Sequence, residues 1–187
     1  MNEKRRLLVN TAFQLFYERG INSVGINEIL KVSGIAKKTL YANFDSKDDL
    51  VLETLAERDA AFLNWLGAEL HPCENNVKVI NVLFSALTKW FYGEVPALAN
   101  FRGCYFIKTS GECSDAGRIF HYCVEHKQKV RALIAQHLTC VDDSVIDQVC
   151  LLKEGAIVTA YLNHDLKAAE KCIPMALKLI DPQKANG

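Results

Sequence analysis

Three stretches of this sequence carry side chains with chemistry to offer. In SGIAKKTLYANFD (residues 33–45), Lys37, Lys38, Thr39, Tyr41 and Asn43 lie among the apolar Ile35, Leu40 and Phe44. On a helix beginning near Ala36, Leu40 and Phe44 stand four residues apart and share a face, which turns the lysines and Thr39 to the other side. A lysine ammonium can donate to guanine O6 and N7 or to a phosphate, a threonine can bond a base or pack on a thymine methyl, and a tyrosine hydroxyl can donate to a phosphate. In RGCYFIKTSGEC (residues 102–113), Cys104 follows Arg102 and Gly103 at an expected helix start, where the dipole and the neighbouring cation lower a thiol pKa and favour the nucleophilic thiolate. Lys108, one turn on, adds to that field, and Cys113 closes the segment.

The third set, Cys113, His121, Cys123 and His126, has the residue types of a thiol nucleophile or a zinc site. Its spacing argues against both. On one helix His121 and Cys123 project about 200° apart, and Cys123 with His126 makes only half a site. The sequence has no Cys-x-x-Cys pair, phosphate loop or nucleophile elbow. No catalytic residue, metal or cofactor is therefore expected.

The elements that must position these side chains read as helices throughout, because apolar residues recur at three and four and no period-two alternation is sustained. Leu7, Leu8, Ala12, Leu15 and Phe16 form a first stripe that ends at Gly20. A second helix is expected from near Gly25 to Gly34, with Glu28 in the place of a capping-box acid and Ile29, Leu30 and Val32 as its apolar side. A fourth starts at SKDDL, Ser46 capping and Asp49 three residues on, and runs to His71-Pro72, long enough to link head and body rigidly. Further helices are expected over 77–92, 104–110, 115–137, 143–162 and 168–180, with DPQKANG as a frayed tail.

Half of the 187 residues are hydrophobic, enough for a buried core, and the formal net charge is zero. The distribution is uneven. Residues 1–47 hold eight basic and four acidic residues, a net of +4, and the remainder carries the balancing −4. A basic head on an acidic body is expected where one end meets a polyanion. The seven cysteines fall in the acidic body, and an odd number without a secretory signal is read as reduced thiols, mostly small buried hydrophobes. No stretch approaches the length of a membrane span, so a soluble, cytoplasmic protein without membrane partners is expected.

Two short helices joined through a Gly turn after a supporting helix make a helix-turn-helix candidate. Taken alone, such a pair would leave its lysines as a solvated face. Here the succession LFYERG, INEILKVSG, KKTLYANF and SKDDL resembles, over some 45 residues, the TetR family of bacterial transcriptional repressors. The resemblance implies an all-α fold: a three-helix helix-turn-helix head (residues 1–47) and a C-terminal helical bundle (48–187) for ligand sensing and dimerisation. It implies a homodimer on a palindromic operator in double-stranded DNA, with Lys37, Lys38 and Thr39 reading bases and Tyr41, Asn43 and Lys47 positioning the backbone. Ala36 and Gly25 stand where the family usually has Ser or Thr, with Asn27 a substitute for the latter contact, and Lys38 replaces a frequent Gly.

In the body, Val145, Val149, Leu152, Ala156 and Thr159 with Gly155, and Ile173, Met175, Ala176, Leu177 and Ile180, resemble the family's dimer-forming pair. Gly103-Cys104, an apolar helix and the acid-Cys pair at 112–113 resemble family members that repress electrophile-detoxifying enzymes. That resemblance implies a small-molecule or electrophile inducer that modifies Cys104, with Cys113 a second thiol. The alternative is a non-covalent apolar inducer and silent cysteines, for which Phe62, Trp65, Phe84, Trp90, Phe106, Lys108 and Tyr122 are the pocket candidates. A helical interaction protein without DNA binding is a further alternative, which the basic head disfavours.

Overall fold

The computed structural model describes residues 3–180; the tail DPQKANG lies outside them. Among the described residues all regular structure is helical: α1 (Glu3–Arg19), α2 (Ile26–Ser33), α3 (Lys37–Tyr41), α4 (Lys47–Leu70), α5 (Asn76–Phe91), α6 (Tyr105–Ser110), α7 (Arg118–His137), α8 (Asp143–Leu162) and α9 (Ala168–Ile180). None of these helices is long and apolar enough to cross a membrane. The expected boundaries hold to within a few residues. α7 begins three residues later than expected, because Gly117 donates its N–H to the Ser114 carbonyl at 2.8 Å and closes a turn first.

The chain divides into two compact units. The first combines residues up to Asp59 with Tyr105–His126. Its core is built from Leu8, Ala12 and Phe16 of α1, Ile29 of α2, Leu40 of α3 and Leu55 of α4, each at most 1% exposed. Two apolar expectations fail here. Leu7 is 44% exposed and Val32 60%, because the buried stripe of α1 runs through Leu8, Val9, Ala12 and Phe16 and α2 turns Ile29 inward. The capping box at α2 does not form either: Gly25 has no side chain to offer, and the Glu28 carboxylate pairs with Arg19. At α4 the Ser46 hydroxyl does cap, accepting the Asp49 N–H at 3.1 Å while donating to the Asp49 carboxylate at 2.7 Å.

Two pairs of buried polar groups in this unit meet across elements. The Thr54 and Tyr105 hydroxyls meet at 2.8 Å. Asp59 and His126 meet at 2.7 Å with side chains only 7% and 3% exposed, and the His126 ring lies parallel to Phe106 with centroids 3.4 Å apart.

The second unit combines Ala60–Cys104 with the chain from Lys127 onward. α5 is its central helix and packs against α8 and α9. Val79, Ile80, Leu83, Phe84 and Leu87 are fully buried. Asn75 caps α5 by accepting the Lys78 N–H at 2.9 Å. Asn76 fastens the same end to the loop before α8: its amide donates to the Thr139 carbonyl at 2.7 Å and accepts the Thr139 N–H at 2.9 Å. Since Phe84 sits at the centre of this core, Phe84→Ala is expected to cost about 3–5 kcal/mol through lost burial and the cavity left behind. Urea titration should show a lower midpoint with an unchanged slope.

Candidate nucleic-acid interface and thiol centre

α3 has five residues, no side-chain cap at Ala36, and one fully buried side chain, Leu40. Phe44, just beyond it, is 4% exposed and lies beneath the Arg5 guanidinium, 5.0 Å from its ring centroid. Arg5 also bonds Glu53 at 2.7 Å, so α1, the end of α3 and α4 meet at one cation. The hydrogen bond from Arg5 holds the Glu53 carboxyl below the usual carboxylate range. With Leu40 and Phe44 inward, Lys37, Lys38 and Tyr41 are exposed, as is Asn27 on α2, and Thr39 is half-buried. The Lys37 ammonium lies 5.9 Å from the Tyr41 ring centroid.

The other two head residues are turned to local work. The Asn43 amide donates to the Thr39 carbonyl at 2.7 Å and so closes the end of α3. The Lys47 ammonium donates to the Ile21 carbonyl and lies over the Phe16 ring. It is engaged with the turn between α1 and α2 in this structure.

In the second unit Cys104 is half-buried directly before α6, and the cation on its sulfur is Lys127, with Nζ 3.3 Å from Sγ. Lys108, expected to serve Cys104, donates instead to the Tyr17 carbonyl at 2.8 Å and sits over the Tyr17 ring in the first unit. Lys127 also reaches both oxygens of Glu154, at 2.9 and 2.7 Å, and Glu154 in turn pairs with Lys153, whose side chain is 3% exposed. Burial works against the Lys127 charge, but Cys104 and Glu154 outweigh it and hold its pKa above that of an ordinary lysine. Burial likewise opposes the Glu154 charge, yet Lys153 and Lys127 hold its carboxyl below the usual range. Gly103, next to Cys104 in the chain, has φ +86°, and a Cβ there would lie 2.9 Å from the Tyr161 ring, so any other residue would be strained and crowded.

Sequence reasoning missed Lys127, Glu154 and Tyr161. A signal was present in LLKEGAIV, where a Lys-Glu pair interrupts an apolar run.

Cys113 stands in different surroundings, in a cleft of about 270 Å³ in the first unit that it shares with Lys47, Asp48 and Glu112. Burial, then Asp48 and Glu112, push its thiol pKa up. His121 is exposed, and among the described residues no three His, Cys, Asp or Glu side chains gather as metal ligands.

The aromatic pocket candidates separate. Phe62, Trp65 and Trp90 form one cluster with ring centroids 5.3 to 6.3 Å apart, joined by Phe91 and Phe101. The buried Trp90 Nε1 has no hydrogen-bond partner. Phe84 is plain core, whereas Phe106, Lys108 and the half-buried Tyr122 belong to the first unit. A groove of about 550 Å³ opens elsewhere, along α8 and α9, lined by residues including Leu151, Gly155, Thr159 and Met175. Of the stripe read from the sequence, Val149 and Ala156 turn into the core. The outward apolar row is Leu151 (71% exposed), Val158 and Leu162, flanked by Met175, and a Cβ added at Gly155 would meet nothing within 4 Å.

Residues 8–54 match the model of the bacterial regulatory proteins of the tetR family. Over 55 residues the chain is 42% identical to YuxN, an uncharacterized HTH-type transcriptional regulator of Bacillus subtilis, covering 29% of this chain and 19% of that protein. Over 138 residues it is 25% identical to the HTH-type transcriptional repressor NemR of Escherichia coli, covering 73% of this chain and 68% of NemR. The first curated relatives are matched over less than two thirds of their own length. The crystal structure of a TetR-family transcriptional regulator from Streptomyces coelicolor superposes with a TM-score of 0.83 at 23% identity, covering 96% of this chain and 95% of the other. The reduced form of E. coli NemR gives 0.80 at 22% identity, covering 95% and 98%. These two structures share the fold along nearly the whole chain.

The surroundings of Cys113 lead to a rate that can be measured. Because its thiol is held above the ordinary range, its alkylation by a neutral maleimide at pH 7 is expected to lag that of the exposed Cys140 and to accelerate as the pH rises. Peptide mapping of timed alkylation checks this, and equal rates at pH 7 would refute it.

Proposed function

Because residues 8–54 match the model of the tetR family of bacterial regulatory proteins, we propose that the chain is a cytoplasmic TetR-type transcriptional repressor that holds a palindromic operator as a homodimer and is released by a small-molecule or thiol-reactive signal. Residues 1–47 supply the DNA contacts, and residues 48–187 sense the signal and dimerise. The observation that carries this reading is the outward face of α3: Lys37, Lys38 and Tyr41 exposed on a helix whose one buried residue, Leu40, seals it to the head. Lys37, Lys38 and Thr39 read base edges in the major groove, while Tyr41, Asn43 and Asn27 position the duplex. Lys47 joins the positioning set because its ammonium has three protons and can reach a phosphate while it keeps the Ile21 carbonyl.

A helix this short reads too few bases alone. Two heads entering successive major grooves about 34–36 Å apart give the operator its two-fold symmetry. The row Leu151, Gly155, Val158 and Leu162 is the surface on which a second copy would close, small enough at Gly155 for close helix approach.

The test is binding to the DNA that flanks the protein's own coding region. A shift that is salt-sensitive, selective over unrelated DNA and saturates at two protomers per palindrome is expected; no selective shift, or one protomer per site, sinks the reading. In the same assay Lys38→Ala should lose about 1–3 kcal/mol and relax discrimination at one base pair.

For the signal, Cys104 with Lys127 at 3.3 Å favours covalent modification by an electrophile. Cys104→Ser is then expected to stay on DNA in the presence of N-ethylmaleimide at concentrations that release the unmodified chain. Equal release of both would rule the cysteine out. A second reading has its own observation: the unpartnered Trp90 N–H within the Phe62, Trp65, Phe91 and Phe101 cluster suits a non-covalent apolar inducer that carries one acceptor. Release of Cys104→Ser by such a compound would favour that reading.

A further inference from the structure

Between α1 and α2 the chain turns through residues 20–25, and two charged side chains from distant positions hold the turn. Glu112, in the turn that follows α6, aims its carboxylate at two consecutive backbone N–H groups. Ile21 donates to Oε1 at 3.1 Å and Asn22 to Oε2 at 2.7 Å. The contact is returned, because the Asn22 side-chain amide donates to the Glu112 carbonyl at 3.0 Å. The Ile21 carbonyl, for its part, accepts from the Lys47 ammonium at the start of α4. Ile21 thus has its N–H on an anion and its C=O on a cation, and hydrogen bonds to charged partners are the stronger class.

Gly20 makes room for this arrangement. It has φ +88°, and a Cβ built on it would lie 2.6 Å from Glu112 Oε1, so the carboxylate fills the space that any other residue would need. Consecutive N–H groups after a left-handed residue form an anion-accepting concavity. Here an internal glutamate occupies it. Farther along the same segment Arg118 bonds Asp49 at 2.9 Å, which ties the segment to the first turn of α4 as well.

α2 leaves this turn directly and α3 follows after three residues. With eight and five residues, neither helix is long enough to hold a conformation or a direction by itself. A recognition surface needs its supports fixed to within about 0.5 Å. We propose that Glu112 is a positioning residue for operator binding: its carboxylate fixes the α1–α2 turn and with it the pose in which α3 meets DNA. The turn after α6, about 90 residues along the chain, is then a working part of the DNA-reading unit. Glu112 itself does not touch the nucleic acid; it acts through Ile21 and Asn22.

This inference rests on the DNA-binding reading above, and the experiment separates the two. Glu112→Gln keeps the size but leaves only one oxygen for two N–H groups, while Gly20→Ala pushes the carboxylate away from the opposite side. Both variants are measured as full-length chains for operator affinity, for the slope of affinity against salt, for thermal midpoint, and for amide exchange at Ile21 and Asn22. The expected result is about tenfold faster exchange at these two amides and about tenfold weaker operator binding, the equivalent of losing one charge-assisted hydrogen bond. The salt slope should stay unchanged, because no phosphate contact is removed. Exchange in α5 should also stay unchanged, which shows that the second unit remains folded.

Two results overturn the proposal: faster exchange at Ile21 and Asn22 with wild-type operator affinity, or an affinity loss that tracks the thermal midpoint across both variants. If the unsubstituted chain gives no selective shift at all, the DNA-binding reading fails, and this inference falls with it.

Discussion

A helix of five residues has almost no stability of its own, since its first turn fixes several dihedral angles for a single hydrogen bond. α3 is such a helix, and it lacks a side-chain cap. Everything that Lys37, Lys38 and Tyr41 can do outside therefore depends on what holds Leu40 and Phe44 inside. That support comes from burial of Leu40, from the Arg5 guanidinium over Phe44, and from the Asn43 amide at the end of the helix. The first unit can be read as a set of braces on this one short element, with α1 and the first half of α4 supplying the apolar backing.

The same dependence changes the meaning of the head's charge. A net of +4 over the first 47 residues suggests a polyanion partner, but the count treats every cation alike. Arg5 is tied to Glu53, Arg19 to Glu28, and Lys47 to the Ile21 carbonyl. The cations that face outward from α3 are Lys37 and Lys38. In the second unit charge is used differently: Lys127 stands on the Cys104 sulfur, and Glu154, half-buried, lies between Lys127 and the buried Lys153. A carboxylate between two ammonium groups in that setting is sensitive to any change at the thiol, because each partner's charge is balanced by the others.

Much of this was legible in the sequence because it is local. Helix periods, Gly20 and Gly34 as stops, and the Ser46 cap follow from residues within a turn or two of each other, and so do the inward Leu40 and Phe44. Features that join distant positions were not legible. Nothing in SGEC points to Ile21 and Asn22, and nothing near Cys104 singles out Lys127 over Lys108, since both are one lysine on a helix. The outward face of α8 was misjudged for a related reason. Its apolar residues nearly encircle the helix, so periodicity alone could not decide that Val149 and Ala156 turn in while Leu151 and Leu162 turn out. Leu7 and Val32 show the same limit on a smaller scale: apolar character says that a residue can be buried, and packing decides whether it is.

The first unit is assembled from two stretches of chain, residues up to Asp59 and Tyr105–His126. On a ribosome the earlier stretch emerges well before the later one. At about 5–20 residues per second the wait between Asp59 and His126 lasts roughly 3–13 s. During that interval Asp59 has no His126, Thr54 no Tyr105 hydroxyl, and the backbone groups after Gly20 no Glu112. The nascent head is thus an unfinished object while the intervening chain is made, with polar groups still hydrated that will later be buried. Its completion is timed by translation of a segment that lies outside the head's own sequence.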